Sequence, residues 1–179
     1  GVIIAEISAF QLWSSFRFHP EVAGFTNIAG DHLDYFDDPN AYPAAKRRLE
    51  RLSAGDDWVV YNWDDDLLAG WSRECAARKA LYGFGEEIFD QEADMCVTAD
   101  EGEVRVRTGN GVRTLLARES IPLPGPHNVS NVMCAAAMAL GFGVEDDAIR
   151  RAVADFEALP HRVESCGSVG GVGFINDSK

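Results

Sequence analysis

Five clusters in this sequence carry residue types that bind metals, move protons or clamp phosphate. Glu6 stands at the end of the apolar run Val2 to Ile7. At the carboxyl end of a strand in an open α/β sheet, where ligands bind, such a carboxylate can hold magnesium, which takes one or two protein carboxylates plus water and phosphate. It can equally cap the turn that follows. Asp31, His32 and Asp34 fall within four residues, just past a second apolar run. Imidazole beside carboxylates binds a divalent metal or moves a proton, and the plainer alternative is an Asp-rich turn with a surface histidine. Lys46 sits one helical turn after Tyr42, at the edge of an apolar stripe, so it is expected to be half-buried. In Lys46-Arg47-Arg48 it also reads as part of a solvated basic face. A lysine amine that reacts with carbon dioxide becomes a carbamate, an anionic oxygen ligand. That reaction needs the neutral amine, which for an ordinary lysine costs roughly 4 kcal/mol at about pH 7.5, a cost that partial burial and a nearby metal offset. Asn128 and Asn131, three apart, share a face at a helix start. Their amides can meet a purine edge or serve as a cap and a polar first turn. Arg162, after Leu159-Pro160-His161, can clamp a phosphate, and Asp177 in Asn176-Asp177-Ser178-Lys179 can accept from ribose hydroxyls; exposed charges at a domain edge are the duller reading.

Positioning these groups requires alternating elements. Val2 to Ile7, Val22 to Ile28 and Trp58 to Tyr61 read as buried strands. Between them, Tyr42, Ala45, Leu49 and Leu52 repeat at helical spacing behind Asp37-Asp38-Pro39-Asn40, and Asp64-Asp65-Asp66 opens a segment carrying Leu67, Leu68 and Trp71. That rhythm predicts an α/β fold with a mostly parallel sheet covered by helices. From about residue 93 to 123 the pattern changes. Val104-Arg105-Val106-Arg107 alternates, and Gly109-Asn110-Gly111 is a hairpin signal, so a small antiparallel insert is expected. Helices follow over 128–140 and 145–156, then a boundary at Leu159-Pro160. Val163 to Ser168 and Val172 to Asn176 read as the first hairpin of a further domain, which divides the chain into 1–160 and 161–179.

Composition sets the limits. The 179 residues are 46% hydrophobic and 25% charged, with a formal net charge of −13. Folding around one main core is expected. The acidic balance argues against a nucleic-acid binder, which presents clustered Lys and Arg, and no apolar run reaches the roughly 18 residues of a membrane span. Four scattered cysteines without metal spacing fit a reducing, cytoplasmic setting. Residue 1 opens directly on an apolar run, so the expectation is a piece of a larger protein.

The clusters are more telling in order than singly. Glu-x-Ser-x-Phe-Gln-Leu from Glu6, Thr-Asn-Ile-x-x-Asp-His-Leu-Asp from Thr26, Tyr-x-x-x-Lys from Tyr42, His-Asn-x-x-Asn from His127, Leu-Pro-His-Arg-x-Glu from Leu159 and Asn-Asp-Ser-Lys from Asn176 together resemble the Mur ligases across nearly the whole chain. Phe-Gln-Leu, Leu-Pro-His-Arg and Asn-Asp-Ser-Lys favour the branch that adds D-glutamate. The resemblance implies a P-loop NTPase-like central domain over 1–160 and the start of a C-terminal ligase domain over 161–179. It implies an ATP-dependent, monomeric, cytoplasmic enzyme of peptidoglycan precursor synthesis, acting on UDP-N-acetylmuramoyl-L-alanine, D-glutamate and ATP. Glu6 looks like the ligand of a magnesium at the triphosphate. His32 and carbamylated Lys46 look like ligands of a second, where they would be the catalytic pair. Ser8 and Gln11 would face the uridine-linked substrate, Asn128 and Asn131 the adenine, and Arg162, Asp177 and Lys179 the phosphates and ribose.

Departures accompany the resemblance. Ala9 stands where a second serine is usual, and Phe36 where a histidine or another polar residue is common. No Gly-x-x-Gly-Lys-Ser/Thr phosphate loop occurs in the chain, so the 179 residues alone are expected to lack ligase activity. The alternatives are a family member adding another amino acid, a metal-dependent phosphoesterase built on Asp31, His32 and Asp34, and a non-catalytic nucleotide-binding module.

Overall fold

Trp58 to Tyr61 is apolar at every position, the pattern of a strand covered on both faces. The computed structural model describes residues 1–29, 38, 40–157, 159–161 and 164–178, and the run lies in it as β2, Trp58–Asn62. One sheet holds β1 (Val22–Gly24), β2, β3 (Arg78–Phe84), β4 (Met95–Ala99), β5 (Glu103–Thr108) and β6 (Gly111–Ala117), side by side in that order. The pairs from β1 to β4 are parallel, and β4–β5 and β5–β6 are antiparallel. The predicted class, a mostly parallel sheet covered by helices, is the one observed.

Period-2 alternation divides the strand side chains between two helix layers. Val60, Ala80, Tyr82 and Val97 face α4 (Pro126–Gly141), packing with its Val129, Met133 and Ala137. Val59, Tyr61, Leu81 and Cys96 point the other way, onto Leu68 and Trp71 of α3 (Asp66–Ser72). α4 starts where the sequence demands it. Gly125 has φ +96°, a Cβ there would lie 2.7 Å from the His127 ring, and Pro126 follows with φ preset for a first turn. α1 (Ala9–Ser14) and α2 (Ala41–Arg51) pack together beside the sheet through Ala9, Tyr42 and Ala45. α5 (Asp146–Ala154) adds Ile149 to the α4 layer.

Two expectations change. Residues 1–8 form no strand, and Ile3 and Ile4 are 92% and 93% exposed. A β-branched apolar run gives extended propensity, but a strand needs a ladder partner, and none of the described residues supplies one. Glu6 therefore does not end a buried strand. The Val22 to Ile28 run keeps only three residues in the ladder. The antiparallel insert expected between about 93 and 123 is present as the β5–β6 hairpin, and what the structure adds is that Val104, Val106, Leu115 and Leu116 join the buried layer that α4 covers, so the hairpin extends the main sheet. Two strands, β3 and β4, had no clear signal of their own.

The expected late hairpin is present as β7 (Glu164–Val169) and β8 (Val172–Asn176), a separate two-stranded sheet. Phe174 and Ile175 are 52% and 65% exposed. Among the described residues, no helix is long and apolar enough to cross a membrane.

Candidate functional site

The carboxyl ends of β1, β2 and β3 lie together, at the edge of the sheet where open α/β folds bind ligands. Beyond β1 the chain leaves the ladder, yet its backbone stays engaged. Phe25 N donates to Val60 O at 2.9 Å. The buried Tyr82 hydroxyl donates toward Phe25 O at 3.0 Å and Thr26 O at 3.1 Å, and Asn62 Nδ2 donates to Thr26 O at 2.8 Å. Burial holds the Tyr82 phenol far above its ordinary pKa, so it stays a protonated donor. Asp65 has two tasks. Its Oδ2 accepts Ile28 N at 2.9 Å, and its Oδ1 accepts Leu67 N and Leu68 N at 3.0 and 3.1 Å, which starts α3. Next to it, Asp64 accepts Phe84 N, and desolvation raises its pKa, with Glu87 adding repulsion. The Asp-rich run thus marks a helix start, as expected, and also fastens the exits of β1 and β3. That second task leaves no pattern in the sequence, because its partners are remote backbone atoms.

This fastened exit leads toward Asp31, His32, Asp34 and Phe36, which lie outside the described residues, as do Arg162 and Lys179. Expectations on those positions are untouched by the geometry.

The second group sits on α1 and α2. Glu6 is exposed, and the cap of α1 is made by Ser8 rather than by Glu6. Ser8 Oγ accepts Gln11 N at 3.3 Å while Gln11 Oε1 accepts Ser8 N at 2.8 Å, a reciprocal capping box. Gln11 is exposed, and its Nε2 end lies outside the box. Lys46 is half-buried, as its spacing predicts, with Nζ 6.0 Å from the Tyr42 ring centre. The basic run is not a solvated face. Arg47 binds Glu50 and Glu74 and lies over Trp71, while Arg48 turns to α1.

The third group is brought together by a groove of about 790 Å³ along α4, α5 and the end of β8. Asn128, Asn131 and Asp177 all line it, so two predicted ligand residues from one turn of α4 share a cavity with a third that is remote in sequence. Ala135, Ala139, Val132 and Phe156 give it apolar walls, suited to a flat base. Asn128 is buried and donates through Nδ2 to Pro124 O at 2.7 Å, which fixes its amide and leaves Oδ1 to accept from an amino group. The cap of α4 is Gly125, so neither asparagine is needed there. Phe156 was expected only as the end of a helix. Its part in the groove depends on how α5 folds back on α4, a packing decision and not a local pattern.

Among the described residues, no group of three or more His, Cys, Asp or Glu is placed to hold a metal ion. The donor types still discriminate. Glu6 offers the hard oxygen magnesium prefers, whereas an unmodified lysine amine is a poor ligand for it and Lys46 fits only as its carbamate.

Comparison with known proteins agrees with the fold. The family model described as Mur ligase middle domain matches residues 2–139. A UDP-N-acetylmuramoylalanine--D-glutamate ligase from Acidobacterium capsulatum is 37% identical over all of this chain, and one from Chlorobium limicola is 35% identical over 98% of it. The chain spans only 38% and 40% of the length of those two relatives. Among solved structures, MurF from Acinetobacter baumannii superposes with TM-score 0.64 at 26% identity, covering 89% of this chain and 34% of that one. MurF from Thermotoga maritima, solved with ADP, shares the fold at TM-score 0.59 and 17% identity, over 89% of this chain and 35% of its own.

Proposed function

The chain belongs to the Mur ligase middle-domain family, and from that premise we propose that the intact protein joins D-glutamate to UDP-N-acetylmuramoyl-L-alanine at the expense of ATP, in the cytoplasm, as a monomer, during peptidoglycan precursor synthesis. Residues 1–160 are its central ATP-binding domain and 161–179 begin the domain that follows. The observation that carries the reading is the groove shared by Asn128, Asn131 and Asp177, an apolar slot lined by two amides from α4 and the carboxylate of the residue that follows β8.

The reaction has two steps. A substrate carboxylate oxygen attacks the γ-phosphorus of ATP and ADP leaves; the D-glutamate amine then attacks the acyl carbon, phosphate leaves, and the nitrogen loses a proton. Asn128 and Asn131 hold the adenine edge, and Asp177 accepts from the ribose, with Arg162 and Lys179 on the phosphates. Ser8 and Gln11 turn the nucleotide-sugar toward the reacting end. Glu6 would hold one magnesium through its carboxylate, and His32 with the carbamate of Lys46 would hold a second. When bound, the metal spreads charge between anions that otherwise repel. The chain's contribution is placement.

The test is ADP release by the full-length protein with UDP-N-acetylmuramoyl-L-alanine and a panel of amino acids. Release that requires D-glutamate is expected. Release without any amino acid would favour a phosphoesterase, and preference for another amino acid would move the protein to a different branch.

A further inference from the structure

Arg48 lies on the same helix as Lys46 but reaches away from it. Its Nη2 donates to Ser15 O at 2.7 Å, and its guanidinium lies 5.1 Å from the Phe16 ring centre. Both targets are at the C-terminal end of α1.

α1 has six residues, too few to hold a helix or an orientation without outside contacts. The bonds that cap it are local. The Ser8–Gln11 box closes the start, and Ser15 N to Leu12 O at 3.2 Å and Ser15 Oγ to Gln11 O at 2.7 Å close the end. Such bonds build the helix without saying where it sits. Contacts with α2 help to place it. Ala9 against Tyr42 and Ala45, with Phe10 and Ala41 packed alongside, is an apolar contact without a directional bond. The Arg48 bond is different in kind, being directional, charge-assisted and aimed at the negative end of the helix dipole. Its neighbour Arg47 is engaged by Glu50 and Glu74 and does not duplicate it.

We propose that Arg48 is a positioning residue that sets the register of α1 on α2, and thereby where Ser8 and Gln11 stand relative to Lys46. The inference rests on the reading above, in which Ser8 and Gln11 meet the nucleotide-sugar. Arg48 acts from the opposite end of α1 and through its backbone.

The experiment compares wild type, R48M and R48K as full-length protein. R48M is expected to raise KM for UDP-N-acetylmuramoyl-L-alanine about tenfold while KM for ATP stays within about twofold, because only the α1 side has moved. R48K keeps a cation and one donor and is expected to fall between the two, which also decides the matter if R48M does not fold. Hydrogen exchange of amides 9–15 is expected to quicken in R48M, with β2 to β4 unchanged. Unchanged Michaelis constants, or both raised alike with a lowered Tm, would overturn the proposal. An inactive wild type would defeat the functional reading instead. The exchange comparison needs no activity, and unaltered exchange over 9–15 would then overturn the claim that Arg48 fixes α1.

Discussion

β2 and β8 are close in composition and opposite in fate. Trp58-Val59-Val60-Tyr61 is buried throughout, whereas Val172, Phe174 and Ile175 of β8 face solvent. Both are apolar runs in a ladder. The difference is that β2 has a strand on each side and a helix layer on each face, while β8 has one partner strand. Apolar sequence therefore specifies the conformation, and the neighbours specify the burial. Most of the described residues proposed for chemistry sort with β8: Glu6, Ser8, Gln11, Lys46 and Asp177 lie on or beside α1, α2 and the end of β8, while Asn128 and Asn131 open α4, the helix that covers the sheet.

If that division holds, activity and stability should separate on mutation. The largest effect is expected for Lys46→Ala in the full-length protein, a loss in kcat/KM of about a thousandfold, or roughly 4 kcal/mol. Tm should hardly change, and short carboxylates should restore part of the rate. Steady-state assays with added formate or acetate check this, and absence of rescue would leave the lysine a structural role. Next, Leu115→Ala in the buried layer should cost about 3 kcal/mol of folding stability by leaving a cavity, while Ile175→Ala on β8 should stay within about 0.5 kcal/mol. Denaturant unfolding of both variants measures the contrast directly; equal losses would erase it.

Asp65→Ala tests the seam between the two regions. It removes the acceptor for three backbone N–H groups and should cost about 2 kcal/mol. Amide exchange at Ile28, Leu67 and Leu68 should rise together.

The smallest effect concerns pH. Arg113 on β6 binds Asp146 of α5 through two nitrogens, at 2.8 and 2.9 Å, and that hydrogen bonding, above all, holds the Asp146 carboxyl below its usual range. A depressed native pKa means the unfolded chain takes up the proton first as pH falls. The pair's contribution is thus full above about pH 4 and is lost as pH drops through the lower native value. Since both partners are partly exposed, it should be under about 1 kcal/mol. Acid titration of Tm for wild type and Arg113→Met gives the difference.

Legibility in the sequence followed the same boundary. The start of α3 was readable because one side chain, Asp65, makes it, whereas α4 begins at Pro126, two residues before the expected 128, since its cap is the backbone of Gly125 and not a polar side chain. Burial of β2 was readable because an unbroken apolar run has few other uses. The strand expected at Val2 to Ile7 was not borne out, since an apolar run carries no information about the presence of a partner. In the site, the shared face of Asn128 and Asn131 followed from helical spacing, and the half-burial of Lys46 from the edge of its stripe. The arrival of Asp177 beside the two asparagines depends on chain path, and its place there had no local pattern. Tyr82 and Arg48 were missed for the same reason: each binds a carbonyl, and every residue has one.

Each strand of the main sheet lies beside its immediate predecessor in the chain. A nascent polypeptide leaving the ribosome would accordingly find the previous strand waiting, with only one crossover or turn to close before pairing. Assembly can zip in one direction, from β1 through β6, with each open edge met by the next strand to emerge. Such vectorial pairing keeps raw edges short-lived, a protection against aggregation that comes from strand order alone.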